Sequence, residues 1–176
     1  MLKTEDPRPR QRADSIGFAL WNLGFRPFYL LASSFAALSI LLWVCQYTGH
    51  LPTMYVRTPS WHGHEMLFGY TLAVVAGFLL TAVRTWTGKP TPAGVPLMAL
   101  VGLWVAGRAL VLTSFAATAA IVNAAFPVAV ALGIGIPIVQ SGNRRNYFFI
   151  ALLLLLALAV LAFHLAHLGM NPCRTD

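Results

Sequence analysis

The chain has 176 residues, enough for one ordinary domain, yet 58% are hydrophobic, only 10% are charged, and mean hydropathy is +0.71. Long apolar runs of this kind exclude an ordinary water-soluble fold and point to membrane-spanning helices. The net charge of +7 does not argue for nucleic acid, because the basic residues lie in loops between apolar spans, where they set membrane orientation.

In chain order, MLKTEDPRPRQRAD is polar and mixed in charge, and no apolar core begins before about Phe28. That is not the pattern of a cleaved signal peptide, so the first span is expected to double as an uncleaved anchor. Residues 1–26 read as a cytoplasmic tail and interfacial segment, with a short interfacial helix around Ile16 to Leu23. Residues 27–168 read as a transmembrane domain, and 169–176 as a short outer tail. Within the domain the first span runs from about Pro27 to Tyr47, and the second from about Pro59 to Val83 with Thr58 as N-cap. The third covers Val95 to Ser114, the fourth Ala117 to Val139, and the fifth Asn146 to Leu168. At ~1.5 Å rise per residue each is expected to cross a ~30 Å hydrocarbon core. The predicted fold class is an all-α membrane protein, a bundle of about five helices.

Basic residues count the sides. Lys3, Arg8, Arg10, Arg12, Arg26, Arg84, Lys89, Arg144 and Arg145 fall on one side, and Arg57 and Arg174 on the other. The positive-inside rule puts the N-terminus in the cytoplasm and the C-terminus outside. Trp61 and Trp86 bracket span two, and Trp43 and Tyr47 end span one, as an interfacial aromatic belt would. Gly69, Ala73, Gly77 and Thr81 form a small-residue stripe that lets helices approach closely. Ala119, Asn123, Pro127, Ala131 and Gly135 repeat it in span four. There Pro127 is expected to kink the helix and Asn123 to bond a freed carbonyl or a neighbour. Cys45 and Cys173 allow a disulfide or a copper thiolate, or simple packing.

With that orientation all five histidines fall toward the outer face, on three spans: His50 after span one, His62 and His64 opening span two, His164 and His167 closing span five. Imidazole ligates both haem iron and copper. His164 and His167, three apart, share a helix face and can chelate one small ion, with His50 or His62 completing the set. A haem instead needs ligands from opposite sides, for which His64 with His164 is the preferred pair. Met66 is a weaker ligand candidate. Glu65 reads as an acceptor that sets a histidine tautomer, as a proton-transfer group, or as an acid favoured by the helix N-terminus. Arg108, inside span three, has three options: pairing with Glu65, clamping a haem propionate, or snorkelling outward. His64-Glu65-Met66-Leu67-Phe68 lacks the second histidine of a zinc protease, and there is no CxxCH, phosphate loop or nucleophile elbow. The residues alone leave open a transporter or channel fragment with the histidines and Glu65 lining a path, or a structural subunit without cofactor.

Several blocks resemble the NnrS family: Gly24-Phe25-Arg26-Pro27-Phe28, Trp61-His62-Gly63-His64-Glu65-Met66-Leu67-Phe68-Gly69-Tyr70 and Ala76-Gly77-Phe78-Leu79-Leu80-Thr81-Ala82-Val83. Trp86-Thr87-Gly88, Ala106-Gly107-Arg108, Asn143-Arg144-Arg145-Asn146 and Phe163-His164-Leu165 continue the likeness in order. The resemblance implies a polytopic bacterial inner-membrane protein containing haem and copper, tied to nitric oxide metabolism and protection against nitrosative stress. It implies no catalytic residues. Family members are about twice as long, so the chain is expected to match their N-terminal half, with some ligands left to the missing half. Lipid, haem, copper and nitric oxide are the expected partners, and exposed small-residue faces predict self-association.

Overall fold

The structure is a computed structural model that describes residues 19–50, Val56 and residues 58–169. Among these every regular element is helical. A short 3₁₀ turn, Leu20–Asn22, leads into α1, Phe25–Tyr47. Helix α2 is one continuous rod in three parts: Thr58–His64, a π-helical segment Glu65–Thr71, and Leu72–Thr87. Helix α3 is Val95–Val111, α4 is Ala116–Gln140, and α5 is Tyr147–Gly169 after a 3₁₀ turn at Arg144–Asn146. The expected interfacial helix is reduced to the Leu20–Asn22 turn, and its start at Ile16 lies outside the described residues. So do Arg57, Cys173, the rest of the tails and the side chain of Thr58.

Among the described residues four helices are long and apolar enough to cross a membrane, and α3, at 17 residues, is shorter than expected. It stops at Val111 because Thr113 redirects the chain. The Thr113 hydroxyl donates to Leu110 O and accepts from the Phe115 amide, so the next turn cannot continue the helix ladder. At ~1.5 Å per residue α3 spans roughly 26 Å, the lower limit for crossing. Large apolar side chains face outward along the long helices, including Leu30, Leu38 and Leu41 on α1 and Phe148, Leu155 and Leu158 on α5. Contiguous apolar surface on that scale is unfavourable in water and natural against lipid. The chain is thus built as a multi-pass membrane protein.

Helix α4 packs against α2, α3 and α5, while α1 packs on α2. The small-residue stripe of α2 faces α1: an added Cβ on Gly77 would meet Phe28 Cβ at 3.0 Å. Thr81 Oγ1 accepts from the Phe25 amide (3.2 Å) and donates to Gly77 O (3.0 Å), tying the start of α1 to the stripe. Trp61 departs from the belt expectation. It is 1% exposed and packs with Val56, Val111 and Ala119, because the crossing of α2 over α3 and α4 encloses its ring. Trp86, by contrast, is exposed and stacks on Phe149.

Candidate metal centre

Helix α2 enters the bundle with His64 and Glu65 at the junction between its first α-helical turns and the π segment. A π turn inserts one extra residue and widens the helix. Here the Thr71 hydroxyl donates to Met66 O, five residues back (2.8 Å), and the Gly69 carbonyl accepts from Trp104 Nε1 on α3 (3.0 Å). The widened turn brings Glu65 and Gly69 against α3, where Arg108 arrives one turn after Trp104.

Glu65 is 1% exposed and both its oxygens are engaged. Oε1 lies 2.9 Å from His64 Nδ1, and Oε2 accepts from Arg108 Nη1 at 3.0 Å. Arg108 Nη2 donates to Asn123 Oδ1 on α4, and the guanidinium lies 5.8 Å from the Trp104 ring. Asn123 Nδ2 in turn donates to Ala119 O (2.8 Å) and Gly107 O (3.3 Å). Three helices therefore hold one continuous polar network. Neither buried charge is left alone, which would be the strongly destabilising case.

The network terminates on an imidazole pair. The His64 and His164 rings lie 4.8 Å apart, centroid to centroid, at 62°, and both side chains are essentially without solvent contact. Phe163 at 5.0 Å and Phe68 at 5.3 Å close round the His64 ring. With Nδ1–H donated to the Glu65 carboxylate, His64 Nε2 carries the lone pair. That atom is buried and has no hydrogen-bond partner among the described residues. A buried acceptor with no partner costs about 1–3 kcal/mol, and a carboxylate-oriented imidazole with its other nitrogen unused is the usual form of a metal ligand. The donor chemistry thus fits a small imidazole-binding ion such as copper.

A haem between these two rings does not fit. With Fe–N bonds of ~2 Å and a ring radius of ~1 Å, trans ligands place their centroids roughly 6 Å apart, and 4.8 Å leaves no room for a porphyrin plane between them. The preferred axial pair is therefore close in space but in the wrong relation for haem.

The other histidines point away from the pair or flank it. His62 stacks on Trp43 (4.7 Å, 23°), away from His64, because residues two apart on a helix point about 200° from one another. His50 is exposed, with Nδ1 2.8 Å from Thr48 Oγ1. His167 stacks on Phe163 (4.2 Å, 30°), and its Nδ1 lies 2.9 Å from Phe163 O, so its ring turns back along α5. Among the described residues, no group of three or more His, Cys, Asp and Glu side chains is placed to hold a metal ion. Of the five histidines expected to converge, His64 and His164 have their rings together, His167 flanks them across Phe163, and His50 and His62 point elsewhere. Arg108 pairs with Glu65 and is 9% exposed, rather than snorkelling to the surface. The sequence assigns Asn123 to helix packing, not to the site; an amide in the interior of an apolar 25-residue helix is the available signal. Trp104 carries no motif of its own, although its place four residues before Arg108 puts both on one face.

An open groove of about 530 Å³ between α4 and α5, lined by Ala131, Leu132, Gly135, Ile136, Ile150 and Leu154 among others, is almost wholly apolar and offers no comparable chemistry. No curated protein and no solved structure matches the chain. A family model described as NnrS protein matches residues 19–175. That range takes in α1 to α5 and with them the whole polar network and both buried imidazoles. The chain belongs to the NnrS family.

Proposed function

We propose that this chain is a multi-pass protein of a bacterial inner membrane that holds copper with His64 and His164 and serves nitric oxide metabolism, protecting against nitrosative stress. The observation that carries the metal reading is the buried, unpartnered Nε2 of His64 beside the His164 ring, with Nδ1 held by Glu65. When bound, copper supplies a coordination position that takes nitric oxide or a related nitrogen oxide. Glu65 keeps His64 in the tautomer that presents Nε2, and Arg108 balances the carboxylate charge. Phe68 and Phe163 exclude water from the pair. Haem, which the family resemblance also implies, is not assigned to these residues. The basic residues Arg26, Arg84, Lys89, Arg144 and Arg145 belong to the end of the bundle opposite the pair, so the pair is assigned to the outer half of the membrane.

The test is purification of the full chain in detergent from copper- and haem-replete cells, with elemental analysis and an absorption spectrum. Stoichiometric copper, lost in both His64→Ala and His164→Ala, is the expected result. Copper-free protein, or copper retained in both variants, would sink the assignment.

A further inference from the structure

The hairpin of α4 and α5 turns at the end of the bundle remote from the imidazole pair. His164, late in α5, meets His64, early in α2, whereas Trp86, late in α2, stacks on Phe149 at the start of α5. The 3₁₀ turn Arg144–Asn146 between α4 and α5 therefore stands opposite the pair, and both of its arginines are exposed. Among the described residues Glu65 is the only carboxylate, and it is buried beside His64 at the other end. No acidic side chain of the described bundle faces these two guanidiniums.

The apolar groove between α4 and α5 runs up to this turn. Its α4 wall extends from Val128 to Gln140, the last residue of that helix, and its α5 wall starts at Ile150 in the first turn. At ~1.5 Å per residue the α4 wall is roughly 18 Å long, close to the ~15 Å depth of one leaflet of the hydrocarbon core. Ala131 and Gly135, one turn apart, add no bulk to it, and Gln140, its one polar lining residue, sits at the end nearest the arginines. The trough thus has the profile of a phospholipid, apolar along its length and cationic at its mouth. A second copy in the same membrane orientation, laid on this face, would bring its own Arg144 and Arg145 against these without a carboxylate between them.

We propose that the groove between α4 and α5 binds one anionic phospholipid, with an acyl chain along Ala131, Gly135 and Ile150 and the phosphate held by Arg144 and Arg145. The site lies at the other end of the bundle from the imidazole pair, and neither reading depends on the other.

The experiment titrates the purified full chain in detergent with phosphatidylglycerol or phosphatidylcholine of identical acyl chains, and counts lipids retained per chain by native mass spectrometry. One phosphatidylglycerol should bind first, about tenfold or more tighter than phosphatidylcholine. Arg144→Gln/Arg145→Gln should bring the two lipids within about threefold of each other. Arg84→Gln/Lys89→Gln removes two cations from the same end but on the α2 side, where Arg84 Nη1 reaches Asn22 O at 3.4 Å, and should leave the preference in place. An added Cβ on Gly135 stands 3.5 Å from Ile150 Cδ1, so Gly135→Leu fills the trough and should weaken both lipids about fivefold or more. Glycerol 3-phosphate, the charge without the chain, should not displace the lipid. A parent chain without preference, or equal losses from the two charge pairs, overturns the proposal, since the basic end would then act only as a diffuse field. Displacement by glycerol 3-phosphate overturns it in favour of a bare anion site. A lipid-free dimer that Gly135→Leu dissociates overturns it in favour of a second copy in the groove. Should Gly135→Leu not fold, the two charge pairs decide the question by the same ratio.

Discussion

Gly69 is the tightest point of the polar network, and replacing it with alanine turns the packing around Glu65 into a measurable quantity. An added Cβ would lie 2.9 Å from Glu65 Oε2 and 2.9 Å from Phe35 Cε1, and would also run into the Arg108 guanidinium. None of these neighbours has slack. Phe35 meets Trp104 edge-on at 5.4 Å, Trp104 donates to the Gly69 carbonyl, and Arg108 is held by Glu65 and Asn123. Overpacking of this kind costs ~1–3 kcal/mol, rising toward ~3–5 kcal/mol if the buried ion pair is forced apart. Gly102 on α3 is the internal control: it is exposed, and an added Cβ meets nothing within 4 Å. There the same substitution should stabilise by ~0.5–1 kcal/mol, since alanine is the better helix former. The assay is unfolding in mixed micelles on SDS titration, followed by tryptophan fluorescence. The two variants should differ by ~2 kcal/mol or more, roughly thirtyfold in the unfolding equilibrium constant. Gly69→Ala as stable as Gly102→Ala would refute the close approach of α1, α2 and α3 around this glycine.

Trp104→Phe removes the bond to Gly69 O but leaves that carbonyl its second donor, the Leu72 amide. The cost in the same titration should therefore stay near ~1 kcal/mol rather than the full penalty of an orphaned acceptor. Gly88 closes α2 in the left-handed region, at φ 64°, with its amide on Arg84 O at 3.0 Å. Nothing crowds an added Cβ there, so Gly88→Ala should cost ~1–2 kcal/mol from backbone conformation alone, with the copper content unchanged.

The spans were legible in the chain because length, apolar content and loop chemistry are local properties. Helix bounds agree with expectation to within a few residues for α1, α4 and α5, and α2 runs on to Thr87. The stripe at Gly69, Ala73 and Gly77 marked the face on which α1 packs. Glu65 and Arg108 stood out as charges in apolar helices, and their pairing was among the options that membrane burial allows. His64 with His164, the pair preferred from sequence as haem ligands, does meet, but the chain alone did not separate it from His164 with His167 on one ion, nor show that the two rings lie too close for a haem. Sharing one end of the bundle fixes depth, whereas contact depends on how far each helix is rotated about its axis. That rotation comes from packing between helices: the π segment widens α2 at Glu65, Gly69 admits the arginine, and α5 then places His164 rather than His167 against His64. The early end of α3 and the enclosure of Trp61 are of the same kind.

Composition and charge spacing alone thus determined a membrane bundle with imidazoles gathered at one end. The spacing and tilt of the two rings that touch, and which of its open options Arg108 takes beside them, came only with tertiary packing. Helix periodicity carries no memory of the azimuth at which a neighbour will arrive.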